Sequence, residues 1–239
     1  MAFNRSLPLR AIFLSLLLAC SSDDEGEPMG PRAVLTAESE FTDGNGNTYQ
    51  TGFEQVSGNN QDPFVTKLDA AGNEVWKLTY ESTPVDGRGV MVSVDDQEIP
   101  WVVFSVDGGS NEDDYIDRKE TASEAFDDAY MNSYGRGGGP KVTVLAQLDP
   151  ETGQIKQGTF LTARLTNGNT NTLNVLGIGF FDQNVAFEIS SAAWPPGLGS
   201  SYERFPDITD EDRIDGAFKI YYEMDRNLSE IRVAERLAE

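Results

Sequence analysis

The chain has 239 residues, with 40 acidic side chains against 18 basic ones and a formal charge of -22. Such a surface repels nucleic acid and anionic lipid faces, so neither is an expected partner. There is no histidine and a single cysteine, Cys20, which excludes a Ser-His-Asp triad, a His-ligated metal and an intramolecular disulfide.

The chain opens with Arg5 and Arg10, then the apolar run Ala11-Ile12-Phe13-Leu14-Ser15-Leu16-Leu17-Leu18-Ala19. The run is too short to span a bilayer as a stable helix and reads as a secretion signal. Its end, Leu17-Leu18-Ala19-Cys20, resembles the lipobox of bacterial lipoproteins. The resemblance implies residues 1–19 as a signal peptide, lipid attachment at Cys20, and membrane association through that lipid. Residues 20–32 form a polar, acidic tether unable to bury apolar surface. Its run Ser21-Ser22-Asp23-Asp24-Glu25-Gly26-Glu27-Pro28 is similar to the export signal of surface lipoproteins in the Bacteroidota. A solvated spacer is the other reading of the same run. The expected address is the outer membrane, on the cell surface.

Residues 33–239 read as one all-β domain. Ala33 to Phe41 is a first strand, Asp43-Gly44-Asn45-Gly46-Asn47 a turn, and Thr48 to Phe53 a second strand. Phe64 to Leu68 and Val75 to Tyr80 follow, separated by Asp69-Ala70-Ala71-Gly72-Asn73. The same order recurs. Gly89 to Val94, Trp101 to Val106, Val142 to Leu148 and Ile155 to Ala163 make a second set. Leu173 to Phe181, Val185 to Ala192, Phe218 to Met224 and Glu230 to Leu237 make a third, with a short helix as the alternative for its last member. Asp69, Asp149 and Asp225 each close the third strand of their set.

Two insertions, Asp107 to Gly139 and Pro195 to Gly216, both fall between strands two and three. Insertions at a repeated position project from one face of an array, often the binding face. Thr121-Ala122-Ser123-Glu124 matches a capping box, with Phe126, Ala129 and Tyr130 on one helical face, which predicts a short helix.

Phe64-Val65-Thr66-Lys67-Leu68-Asp69-Ala70-Ala71-Gly72-Asn73-Glu74-Val75-Trp76, preceded by Gly46-Asn47-Thr48-Tyr49-Gln50-Thr51-Gly52, resembles the bacterial β-propeller repeat of secreted and surface proteins. The second and third sets match in layout more than in residues. The resemblance implies a propeller-like array of three four-stranded antiparallel units, usually adhesive or scaffolding in role. Three units are fewer than propellers carry, so a β-sandwich is the alternative.

Asp43, Asn45, Asn47 and Glu54, with Tyr49, fall at calcium-loop spacing, although Thr48 stands where such loops need glycine. Calcium is the one candidate cofactor. Acidic clusters at Asn111 to Asp114 with Asp117, and at Asp207 to Asp215, either hold a cation or stay solvated. Trp76 and Trp101 read as core. Trp194, Tyr202 and Phe205 in the second insertion, with Tyr130 and Tyr134 in the first, are candidate anchors for a protein or glycan partner. The expected function is binding or scaffolding by a lipid-anchored surface protein. The rival is a carbohydrate-active enzyme using insertion carboxylates.

Overall fold

A computed structural model describes residues 32–58, 60–80, 86–107, 109, 120–137 and 141–237. Cys20, the signal, most of the tether and the acidic stretch from Asn111 to Asp117 lie outside the described residues. The described chain is all-β. One antiparallel sheet holds β1 (Glu40–Thr42), β2 (Thr48–Gln55), β3 (Gln61–Leu68) and β4 (Glu74–Thr79), adjacent in chain order. A second holds β5 (Gly87–Val94), β6 (Pro100–Val106), β7 (Val142–Leu148) and β8 (Ile155–Leu161). A two-stranded ribbon, β9 (Ala163–Arg164) and β10 (Thr170–Asn171), follows. The last sheet holds β11 (Asn174–Phe181), β12 (Asn184–Ser191), β13 (Phe218–Asp225) and β14 (Ile231–Arg236). No closed barrel or propeller is identified among the described residues. The C-terminal segment is a strand, not a helix.

The second sheet is buried on both faces, and strand alternation explains how. Trp101, Val103, Leu145 and Leu161 point into a core shared with the third sheet. Val102, Phe104, Val144, Ala146 and Phe160 point the other way, toward Val65 and Tyr80 of the first sheet's side. Trp101 is fully buried, as its sequence context suggests, while Trp76 is only half-buried against Tyr49 at 6.2 Å between ring centroids.

One turn design recurs at five hairpins. The side chains of Asp43, Asp69, Asp95, Asp149 and Asp225 each accept hydrogen bonds from backbone amides two to five residues on, at 2.8–3.0 Å. A carboxylate there satisfies amides that the tight loop turns away from the strand ladder. The sequence pattern picks out Asp69, Asp149 and Asp225; Asp43 and Asp95 do the same work in the hairpins between strands one and two. Each of the three third-to-fourth hairpins also carries a bulge immediately before its aspartate, at Lys67/Leu68, Gln147/Leu148 and Glu223/Met224. The residue that swings to positive φ is Gly46, Gly72 or Gly153 in three of the loops, but Glu98 (62°) and Leu228 (57°) in the others. Leu228 takes that conformation with its side chain fully buried in the core.

Two of these carboxyls titrate low. The side-chain amide of Asn73, then backbone amides, hold Asp69 below the usual carboxylate range. Burial pushes Asp149 up, but the amides of Glu151 and Thr152 outweigh it and hold it low. A carboxyl depressed in the folded state adds stability above its unfolded pKa and loses it as pH falls through the folded value. The melting temperature is therefore expected to fall as pH drops below about 4, the ordinary carboxylate range. The double variant Asp69→Asn, Asp149→Asn should show a shallower decline in thermal melts taken across pH. Glu235, pushed up by burial, works in the opposite direction, so an equally steep decline in the variant would assign the acid lability elsewhere.

The first expected strand is corrected. Residues 32–39 are not a regular strand of the first sheet but a strip that crosses all three. Thr36 and Ile178 of β11 exchange both backbone hydrogen bonds, at 2.8 and 2.9 Å. The amide of Val92 in β5 donates to the Glu38 carbonyl, and that of Thr51 in β2 to Ser39. At its start, Arg32 grips Glu223 side-on, Nε to Oε1 at 2.7 Å and Nη2 to Oε2 at 2.5 Å. Arg32 thus belongs to the folded domain, not to the tether. Glycines admit the strip: a Cβ on Gly179 would sit 2.2 Å from the Val34 carbonyl oxygen.

Candidate functional site

Up-and-down order roots both insertions at the end of the sheets away from the Asp-opened turns, and each then runs back along a fourth strand: the Ile155 amide of β8 donates to Glu120, and Gly199 and Ile231 of β14 exchange both backbone bonds. The insertions are not loose excursions. Ala125, Phe126, Tyr130 and Tyr134 of the first are buried, as is Ile208 of the second. Phe126 stacks on Phe160 at 5.7 Å and occupies the space that a side chain at position 158 would need.

The expected helix over 121–130 is absent. Its stretch folds as successive turns, with Ala125 bonded back to Ala122, Asp127 to Glu124 and Ala129 to Phe126. The capping box is not made either. Glu124 accepts instead from its neighbour Ser123 at 2.6 Å, and Thr121 Oγ1 is buried without a partner among the described residues. Asp128 at φ 56° stops any helical continuation. The chain then enters the interior rather than lying on it: the amide of Tyr130 donates to Leu228 and that of Met131 to Thr159 Oγ1.

The ribbon β9–β10 ties the two insertions together. Thr170 donates from its amide to Arg136 and from its hydroxyl to Tyr134, both carbonyls of the first insertion. Arg164 and Trp194, at the root of the second, exchange both backbone bonds at 3.0 Å. Between the insertions lies a cleft of about 420 Å³, whose walls include Asp128, Tyr130, Asn132, Ser133, Arg164 and Tyr202.

Of the five predicted anchors, the structure brings Tyr130 and Tyr202 to this cleft. Tyr202 is half-buried; its hydroxyl donates to the Trp194 carbonyl at 2.8 Å, and the Arg164 guanidinium lies 4.0 Å from its ring centroid. Burial raises its phenol to about 12, against the pull of Arg164 and Arg204. Tyr130 is a core residue with only 4% of its surface exposed, and burial pushes its phenol far above the ordinary value. Tyr134 is more deeply buried still and is not an exposed anchor. Trp194 is not a free stacking platform. Arg204 stands 3.4 Å from its ring centroid, Phe218 packs at 5.3 Å, and its Nε1 donates to Thr166. Phe205 packs on the core beside it.

Sequence reasoning missed Arg164. Its one signal was a lone basic residue between two strand-like runs in an acidic chain. Among the described residues its guanidinium, like those of Arg88 and Arg204, has no ion pair, whereas Arg32, Arg213, Arg226, Arg232 and Arg236 each meet a carboxylate.

The calcium-spaced residues do not converge. Asp43, Asn45 and Asn47 share a separate cleft among the Asp-opened turns, but the Asp43 carboxylate is already taken by the amides of Asn45 and Asn47 and by Asn47 Nδ2. Glu54 lies near the far end of β2, opposite Asp62 and paired with Lys77. β2 extends through the positions a metal loop would need to curl. No group of three or more His, Cys, Asp or Glu able to hold a metal is found among the described residues. In the second insertion, Asp210 pairs with Arg213, and Asp212 caps Thr209 and pairs with Arg236. No protein-family model matches this chain, and no curated protein matches it significantly.

Proposed function

We propose that this chain is a lipid-anchored binding protein of a Bacteroidota-like outer membrane, working at the cell surface through the face that carries the two insertions. The observation that carries the binding half is the cleft between the insertions, walled by polar and aromatic side chains and braced by β9–β10. Small-molecule and glycan sites are concave, with a few polar groups set among apolar ones. The anchoring half rests on Leu17-Leu18-Ala19-Cys20 and the acidic run after it. We read the three four-stranded sheets as three copies of one propeller-like unit, supported by the aspartate turn and the bulge that recur in each.

Cys20→Ala is expected to move the protein from the membrane to the soluble fraction and to abolish lipid labelling. Unchanged fractionation would overturn the anchoring half. For the binding half, the full chain is screened on glycan and protein arrays. Because the insertions supply core residues, their role is tested by point changes at the cleft rather than by deletion. A partner whose capture is insensitive to every cleft substitution would remove the insertion face from the proposal.

A further inference from the structure

We infer that the cleft between the insertions binds a small hydroxy-carboxylate, of the size and chemistry of a uronic acid, with Arg164 and Tyr130 as its recognition pair. The inference rests on the binding reading above and names the ligand class for the same site.

Two donors are left over at one place. The Arg164 guanidinium lies over the Tyr202 ring with no carboxylate partner among the described residues, in a chain with 40 acids to 18 bases. Asp128 shares the cleft with it but forms no ion pair with it. Stacking on Tyr202 fixes the plane of its fork, which suits side-on pairing with a planar carboxylate. Tyr130 supplies the second donor. It lines the cleft, is 96% removed from solvent, and its hydroxyl has no hydrogen-bond partner among the described residues. An unsatisfied buried hydroxyl is costly, and a ligand oxygen removes that cost.

The remaining walls fit the rest of such a molecule. Asn132, Ser133 and Ser201 offer groups that exchange hydrogen bonds with hydroxyls, and Asp128 can accept from one while opposing a second anionic group. The volume of about 420 Å³ sits at the small end of ligand sites and holds one or two sugar rings, not a long chain. The net charge of -22 disfavours a polyanion and tolerates a single carboxylate.

The test is calorimetric titration of the full chain with D-glucuronate, D-galacturonate, neutral D-glucose and glucose 6-phosphate. A uronate should bind at least about tenfold tighter than glucose, the span expected of a charge-assisted bond. Arg164→Met, which keeps the stack on Tyr202 but no charge, should erase that preference; Arg164→Lys should recover part of it. Tyr130→Phe should weaken uronate binding about fivefold or more while leaving the melting temperature unchanged or higher, since it removes a buried hydroxyl that no described residue satisfies. A merely structural Tyr130 would not lower affinity. Tighter binding of the phosphate ester than of either uronate would overturn the carboxylate assignment. So would equal binding of glucose and uronate, or uronate binding unmoved by Arg164→Met. If the arrays find a partner that cleft variants disrupt while no uronate binds, this inference fails and the binding reading stands; if cleft variants disrupt nothing, both fail.

Discussion

Arg32→Met is expected to lower the unfolding free energy by about 3 kcal/mol, the lower end of the range for removing one partner of a buried ion pair. Glu223 is fully buried, and Arg32 is its only cationic partner among the described residues. Tyr221 donates its hydroxyl to Oε1 at 2.9 Å and Asn184 its amide to Oε2 at 3.0 Å, so the carboxylate keeps two neutral donors but loses its counter-charge. Arg32 is 28% exposed, which lets water soften the attraction and sets the estimate at the low end. Replacing both partners, Arg32→Met with Glu223→Leu, should recover much of the loss, because no charge is then stranded. Urea unfolding of the two single variants and the double decides this. A change in Arg32→Met within about 0.5 kcal/mol would place the pair among surface contacts of little worth.

Gly89→Ala should be the most damaging single methyl in the molecule. Its Cβ would lie 1.8 Å from Thr51 Oγ1 and 2.9 Å from the backbone nitrogen of Gly52. The threonine cannot swing aside freely, since its hydroxyl donates to the Phe64 carbonyl at 2.8 Å inside a mostly buried site. Either β5 moves off β2 or that bond breaks, and overpacking of this kind costs about 1–3 kcal/mol or more. Gly179→Ala carries a related expectation with a distinct signature. Its methyl meets a backbone carbonyl of the strip at 2.2 Å, so the strip itself must lift. Once it lifts, Arg32 is no longer held at Glu223. Gly179→Ala and Arg32→Met should therefore be strongly non-additive, while Gly89→Ala and Arg32→Met should lie closer to additive. Chemical denaturation of the double variants reads this directly.

The strands and the aspartate turns were legible in the sequence because both are local. Alternation along Trp101 to Val106 and Val142 to Leu148 marks a strand whichever sheet it joins. An aspartate that bonds amides two and four residues on needs nothing distant to form. Three features were not legible, each for a non-local reason. Residues 32–39 look like an ordinary opening strand, yet their partners, Ile178 and Glu223, arrive more than a hundred residues later. Tyr130 and Tyr134 sit in a polar, Gly-flanked insertion and look exposed, but the insertion folds inward and its aromatics complete a core. Helical spacing of Phe126, Ala129 and Tyr130 was real as a pattern of apolar residues, and successive turns bury that pattern equally well. The cleft joins residues from three separate stretches, so only Tyr130 and Tyr202 could be suspected, and Arg164 gave no sign of remaining unpaired.

The strip also dictates the order in which the molecule can be assembled. A chain that emerges N-terminus first can pair Ser39 with β2 and Glu38 with β5 early, but it presents Arg32 to Thr36 long before β11 and β13 exist to receive them: Arg32 and Glu223 are 191 positions apart. Each sheet is a meander of neighbouring strands and can form from its own stretch of chain as it appears, since short loops close at little entropic cost. The stretch from Arg32 to Thr36 cannot. Its contacts need the largest loop in the molecule to close, and contacts of such separation are the slow ones. Until β11 and β13 are in place, the groove it fills is incomplete, because Gly177 and Gly179, the glycines that admit it, belong to β11. The domain therefore stays unlocked through most of its synthesis and is fastened last by Arg32 to Thr36, the earliest-emerging stretch of its described residues.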